Sequence, residues 1–381
     1  MHDFVLRELK TEDILTELNA IGFDKAYASR ACEKFYYKNI KIFGLSVAQA
    51  NILKQTALSV GADCATNKNT ITGNIDKTDC ILGGSLSQIA KIAVKLGLQP
   101  FGLRKLGREI ENFMAIESGD GTQIMGILNL TPDSFSDGGM YENFEEAAMQ
   151  LVRLVEDGAD MVDIGAESTK PYSEAVLPEA QLEKIIPILD FVRENNIEIP
   201  ISIDTRSAEV AKYSLEAGAT AINDVSGLEF DENMAEVVAD FECPVIIQHS
   251  KGIPETMQIN PMYTNLMDEI FLDLSRRIEL ATSKGINKDN IIIDPGIGFG
   301  KTREHNFEII KRIGELRALD CPILLGVSRK SLLNMADEDN DIKDIYTVAL
   351  NTLAVERKVD IIRVHNVKLH RKLLDMLDNQ L

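Results

Sequence analysis

Cysteines are few, and none stands at the C-x-x-C spacing of a reactive or metal-binding pair. Cys32, Cys64, Cys80, Cys243 and Cys321 are scattered over 381 residues with no C-x-x-C spacing. They read as reduced, buried thiols, which excludes a disulfide-stapled secreted domain and points to the cytoplasm. Long apolar runs are missing too. Nothing reaches the roughly 20 residues that cross a bilayer, so no membrane partner is expected. The opening stretch, "MHDFVLRELKTEDILTEL", carries charges at short intervals and does not read as a secretory leader. Positive charge is scarce: 40 Lys+Arg stand against 60 Asp+Glu, a net charge of −20. A phosphate backbone needs a basic face, so nucleic acid is excluded as a general partner. The five histidines show no metal-ligand spacing: His249, His305 and His365 fall in separate segments, and His2 and His370 read as solvent-facing.

What is present is an ordinary globular composition, 45% apolar and 26% charged, in a chain long enough for one large and one small domain. From residue 123 onward, short β-branched runs alternate with amphipathic helical stretches. The runs are "QIMGILN", "MVDIGAES", "ISIDT", "AINDVS", "VIIQHS", "IIIDPG", "ILLGVS" and "IIRVHN". Between two of them, "SAEVAKYSLEAGA" repeats Ala208, Ala211, Tyr213 and Leu215 at helical spacing, with Gly218 where a C-terminal cap belongs. Eight such β–α units predict an α/β fold, a (β/α)8 TIM barrel over 116–381. Residues 1–115 read as a small α/β domain with no catalytic constellation, separated from the barrel by the polar "ESGDGTQ". A packing or assembly role is the expectation for that domain.

In a barrel of this kind, chemistry sits at the C-terminal strand ends. Those ends are Asn129, Glu167-Ser168-Thr169, Asp204-Thr205, Asn223-Asp224, Gln248-His249, Asp294, Ser328-Arg329-Lys330 and Arg363-Val364-His365. All eight are polar, although an unpaired polar group in a buried strand costs about 1–3 kcal/mol. Thr205, Asp224 and Ser226 have a second reading, as caps of the following helix. Lys170, Lys251, Lys301, Arg329, Lys330 and Arg363 fall at or just past the ends, so one mouth of the barrel should be basic and suited to a phosphorylated substrate. In "MGILNLTPDSFSDGG", residues 125–139, Asn129 ends a core strand and opens a loop of hydroxyls and aspartates far longer than a tight turn needs. That is a binding loop. "PGIGFGKT" has neither P-loop nor dinucleotide spacing, and its glycines are expected to let the backbone approach a flat ligand.

Seven segments in order, "ILNLTPDSFSDGG", "DIGAESTKP", "SIDT", "INDVSG", "IIIDPGIGFGKTREHN", "LLGVSRKS" and "RVHNV", resemble the dihydropteroate synthase family over roughly residues 120–380. The resemblance implies condensation of 6-hydroxymethyl-7,8-dihydropterin diphosphate with 4-aminobenzoate. It implies that Asp204, Asn223 and Asp294 read the pterin edge and that Lys330 contacts the ring carbonyl. Asn129, with Mg²⁺, and Arg363 and His365 would handle the diphosphate. Asp137 would stabilise the cation left when diphosphate departs, with Phe135 shielding it. Lys330, Arg363, His365 and Asp137 are thus the implied catalytic groups. Phe135, Thr169, Lys170, Pro171, Phe299 and Ser328 would form the aminobenzoate pocket, and the barrels of this family usually dimerise through outer helices. The chain departs from the pattern at Lys170, where the family has Arg, and in "QHSKG", where it has a methionine and "HMRG". Gln248 and Ser250 are the consequence. A pterin-dependent methyltransferase barrel or a catalytically silent pterin-binding module remains open on these residues alone.

Overall fold

The computed structural model describes residues 6–9, 14–116, 119, 121–130, 140–167, 176–252, 261–330 and 339–378. The chain divides into two compact units, Met1–Ile116 and Glu117–Leu381, one residue from the boundary expected from sequence.

The first unit begins with α1 (Ile14–Ala20) and α2 (Lys25–Cys32), which enclose a small cluster of Ile14, Leu18, Ala31 and Cys32. Strands β1 (Tyr37–Ser46), β2 (Asp63–Thr66) and β3 (Lys77–Ser85) form an antiparallel sheet in the order β1-β3-β2. Helices α3 (Val47–Leu58), α4 (Leu86–Leu96) and α5 (Leu103–Ala115) complete the unit. Its core joins Leu53, Leu82, Ile89, Leu96 and Leu103. Serine followed three residues later by glutamine starts both α3 and α4: Gln49 Oε1 accepts the Ser46 amide and Gln88 Oε1 accepts the Ser85 amide, each at 2.8 Å.

The second unit alternates strand and helix: β4 (Gln123–Asn129), α6 (Met140–Glu156), β5 (Met161–Gly165), α7 (Pro178–Glu194), β6 (Ile201–Asp204), α8 (Ala208–Glu216), β7 (Ala221–Asp224) and α9 (Met234–Asp240). It continues with β8 (Val245–Gln248), α10 (Leu266–Ser283), β9 (Ile291–Asp294), α11 (Arg303–Arg312), β10 (Leu324–Leu325), α12 (Asn340–Val355), β11 (Ile361–Val364) and α13 (Val367–Asp378). The strands run parallel in the order β10-β11-β4-β5-β6-β7-β8-β9, and a bridge between Ile293 and Ile323 closes the ring. This is the TIM barrel that the eight runs predict.

Strand periodicity sorts the side chains. Ile124, Leu128, Val162, Ile164, Ile203, Ile222, Val245, Ile247, Ile293 and Ile362 belong to the large core cluster that includes the surrounding helices. The alternate positions face inward. Met125, Ile246, Leu324 and Ile361 form an apolar floor, with Met161 and Ile292 packed against it. Above this floor the inward positions turn polar. In α8, Ala208, Ala211 and Leu215 are buried as their spacing requires, whereas Tyr213 points to solvent. His370 departs from expectation: α13 buries it completely, and its Nδ1 lies 2.7 Å from the Asn366 carbonyl. The turn of the helix, rather than the polarity of the ring, decides its side.

Candidate active site

Register fixes which strand ends converge. Asn129 pairs with Gly165, Gly165 with Asp204, and Asp204 with Asn223, so these four positions share one face of the sheet. Gln248 pairs with Asp294 in the same way. One layer deeper, Asp163 lies opposite Ile127 on one side and Ser202 on the other. Asp163, Asp204, Asn223, Gln248 and Asp294 are all buried. The barrel therefore carries a ring of carboxylates and amides directly above an apolar floor.

One cation ties the ring together. Arg363 Nε donates to Asp163 Oδ2 at 2.6 Å and Nη2 donates to Asp204 Oδ2 at 2.9 Å. Asn223 Nδ2 donates to the same Asp163 oxygen at 3.0 Å. Burial opposes the Arg363 charge, but Asp163 and Asp204 outweigh it and raise its pKa. Burial likewise pushes the Asp204 carboxyl up to about 7, against the pull of Arg363 and with help from Asp163 and Glu167. The other oxygens of Asp163 and Asp204 are buried with no partner among the described residues. Asp163 is the functional candidate that strand ends alone do not reveal. Its signal in the sequence is an acid at an inward position in the middle of "MVDIGAES".

Beside this cluster, Asp294 Oδ1 accepts the Gly296 amide at 2.6 Å. Burial raises the Asp294 pKa, while Lys330 and the Gly296 amide oppose the rise. Lys330 Nζ donates to the Ile297 carbonyl at 2.7 Å and sits 4.8 Å above the centre of the Phe299 ring. Burial brings its pKa down to about 8, with Asp294 holding it up and Arg363 adding to the fall. Ser328 Oγ accepts the His365 amide at 3.2 Å and lies 2.9 Å from His365 Nδ1. That contact ties the imidazole to the end of β10 and the loop behind it. Asn129 ends β4 half-buried, in register with Gly165 of β5. Phe135, Asp137, Thr169, Lys170 and Pro171 lie outside the described residues.

The expected basic mouth is largely neutralised. Arg329 forms a bidentate pair with Asp344, both bonds 2.8 Å, and Lys251 pairs with Glu269 at 2.8 Å. Lys301 is buried, its ammonium bonded to the carbonyls of Gly296 (2.9 Å) and Phe299 (3.0 Å) and to His249 Nδ1 (2.8 Å). Burial drives the Lys301 pKa well down, and burial together with Lys301 does the same to His249. Acids meet two of these cations, and carbonyls and an imidazole meet the third, because a buried or crowded charge needs a partner. The glycines also differ from expectation. A Cβ on Gly296 would lie 1.9 Å from the His249 carbonyl oxygen, and one on Gly300 would lie 2.4 Å from that of Lys251, both residues having positive φ. They admit the backbone of the β8 loop, and only Gly298, 3.6 Å from the Lys330 side chain, has room beside the site. Asp224 and Ser226 are turn formers: Asp224 Oδ1 accepts the Ser226 amide at 2.8 Å and Oδ2 the Leu228 amide at 2.8 Å. Thr205 Oγ1 accepts the Ser207 amide at 3.2 Å.

Acids and an amide facing inward, an adjacent lysine over an aromatic ring, and the arginine of β11 with the histidine just beyond it agree with a match over residues 125–365 to the family described as pterin binding enzyme. The chain belongs to that family. A solved dihydropteroate synthase from Clostridium difficile, determined in the presence of pteroic acid, is 39% identical with a TM-score of 0.64, and the likeness covers 69% of this chain and 98% of that one. A probable bifunctional folylpolyglutamate synthase/dihydropteroate synthase of Halobacterium salinarum is 37% identical over 84% of this chain. This chain spans only 40% of that relative's length. A bifunctional dihydropteroate synthase/dihydropteroate reductase of Helicobacter pylori is 32% identical over 97% of both chains. The family match thus lies within the second unit, and the likeness to the Helicobacter pylori protein extends through the first unit as well.

Proposed function

We propose that the barrel condenses 6-hydroxymethyl-7,8-dihydropterin diphosphate with 4-aminobenzoate to give 7,8-dihydropteroate and diphosphate. The observation that carries this reading is the buried acceptor ring of Asp204, Asn223 and Asp294 on the barrel interior. A pterin presents an edge of N–H donors beside a carbonyl. Buried acceptors bind such an edge and reject rings lacking it, because the acceptors would then be left unpaired. Lys330 suits the ring carbonyl. In the reaction, the C–O bond to diphosphate breaks, the leaving oxygens take the electron pair, and the aryl amine forms the new C–N bond and sheds a proton. Arg363 and His365 supply donors that meet the charge developing on the leaving group. Phe299 and Ser328 orient aminobenzoate, a nucleophile that needs placing more than activation. Thr169, Lys170 and Pro171 complete that pocket, and Asp137 and Phe135 cover the reacting carbon.

Mg²⁺ fits this site as an ion carried with the substrate. Among the described residues no three His, Cys, Asp or Glu side chains form a cage, and the Asn129 amide at the end of β4 offers a hard oxygen donor. Mg²⁺ keeps several waters and takes one or two protein oxygens beside phosphate. Bound there, it would offset negative charge on the diphosphate. A homodimer and a cytoplasmic setting belong to the same reading. Ile345, Tyr346 and Leu353 expose an apolar strip on α12, and all five cysteines are free and buried.

A second activity is favoured by the match to the Helicobacter pylori protein, which extends through the first unit. The Clostridium difficile chain, a synthase by name, is matched over 98% of its length by 69% of this chain, which leaves residues 1–116 as the candidate for the reductase share. We infer that this unit reduces the barrel's product with a hydride from a reduced nicotinamide or flavin. The deciding assay mixes the full chain with both substrates and Mg²⁺. Diphosphate release that depends on aminobenzoate, with equimolar dihydropteroate, is expected. No release, or methyl transfer instead, would overturn the synthase reading.

A further inference from the structure

Asp163 is used by none of the steps above, yet it is a fully buried carboxylate inside the barrel. It lies one layer below the pterin-reading ring, fully buried, and its Oδ2 takes two donors, Arg363 Nε at 2.6 Å and Asn223 Nδ2 at 3.0 Å. An ionised carboxylate only accepts hydrogen bonds. Asn223 must therefore turn its nitrogen toward Asp163 and present its carbonyl oxygen elsewhere. In the same way Arg363, held at Nε by Asp163 and at Nη2 by Asp204, has its guanidinium plane fixed, with Nη1 bonded to none of the described residues. We infer that Asp163 is a positioning residue that sets the polarity of the pterin-reading edge: it makes Asn223 an acceptor beside Asp204 and Asp294, and it aims Arg363. The inference rests on the synthase reading of this site. Three acceptors in a row match a ring edge rich in N–H groups and oppose one that presents lone pairs. Without Asp163 the Asn223 amide could rotate by half a turn and put a donor against those N–H groups. The arrangement also explains why an acid sits beneath the site, where an apolar residue would simply extend the floor.

The test compares wild type, Asp163→Asn, and the exchanged pair Asp163→Asn with Asn223→Asp, all as the full chain. Binding of 6-hydroxymethyl-7,8-dihydropterin is followed by calorimetry, and the KM of each substrate is measured separately. Asp163→Asn should weaken pterin binding about tenfold or more, the loss expected when a charge-assisted bond and its polarity are removed. The KM for aminobenzoate should move less than about twofold, since that pocket keeps its contacts. In the exchanged pair the new amide at position 163 donates to the new carboxylate at position 223. The other oxygen of that carboxylate still faces the ligand as an acceptor, so pterin binding should largely return. A merely structural role would lower stability and affect both substrates, and exchange would not rescue it. Unchanged pterin binding by Asp163→Asn overturns the inference, as does a folded exchanged pair that binds no better than the single variant. Should Asp163→Asn not fold, the exchanged pair decides alone: pterin binding supports the inference, and a folded protein without it overturns it. A wild-type chain that binds no pterin overturns the synthase reading and the inference together.

Discussion

At the scale of single residues, the site depends on two groups whose ordinary protonation is displaced toward neutrality from opposite sides. Burial lifts Asp204 to about 7 and lowers Lys330 to about 8. On the proposed reading Asp204 accepts from the pterin best as a carboxylate, so affinity should fall as pH drops through 7. On the same reading Lys330 donates to the ring carbonyl as an ammonium, so affinity should fall again as pH rises through 8. The dependence of kcat/KM for the pterin diphosphate on pH, at saturating aminobenzoate, should form a bell between those limbs. Lys330→Arg should push the alkaline limb upward, because guanidinium does not titrate in this range. A flat profile between pH 6 and 9 would remove both groups from pterin recognition. The residues that give these limbs, Asp204 and Lys330, were legible as polar strand ends. Asp163 was not, because its role comes from Arg363, 200 positions away, and chain order does not show which cation meets which acid. The pairing of Arg329 with Asp344 and of Lys301 with His249 was illegible for the same reason.

Among the elements, the β9–α11 connection bears the closest backbone approaches. Gly296 and Gly298 both have positive φ, +68° and +86°, but their surroundings differ. A methyl group at 296 collides with the His249 carbonyl, whereas one at 298 meets only the Lys330 stem at 3.6 Å. Gly298→Ala should cost about 1–2 kcal/mol, the left-handed backbone term alone. Gly296→Ala should cost more, roughly 3 kcal/mol or above, and should also disturb the Asp294–Gly296 bond and with it pterin binding. Chemical denaturation of the two variants checks the order, and equal losses would contradict it. All eight barrel strands could be read from β-branched runs ending in polar residues, and the caps at Ser46 and Ser85 had sequence signatures. The long β1 and the short β2 escaped because their exposed faces break the alternation: Tyr37, Asn39, Asp63 and Ala65 face solvent. Why "PGIGFGKT" holds three glycines could not be read locally, since the obstacles are carbonyls of another loop.

For the whole molecule, the two units differ in charge as well as in fold. Residues 1–116 carry 15 Lys+Arg against 12 Asp+Glu, while residues 117–381 carry 25 against 48. Hydride donors of the nicotinamide and flavin type bear phosphate, so the less acidic unit is the better place for one. Residues 117–381 produced alone should keep synthase turnover near that of the full chain, as the stand-alone Clostridium difficile barrel implies, and lose any reduction of dihydropteroate. Reduction retained by the barrel fragment would refute the division of labour. Finally, the ring of strands is not equally joined all round. Seven joints are ladders, but between β9 and β10 the joint is the single bridge from Ile293 to Ile323, next to a strand of two residues. A hoop with one thin joint behaves as a clasp, so deformation imposed on its rim concentrates there and spares the rest. The clasp lies just below Ser328 and Lys330, so such a deformation would reach the mouth of the barrel beside the lysine proposed to meet the ring carbonyl.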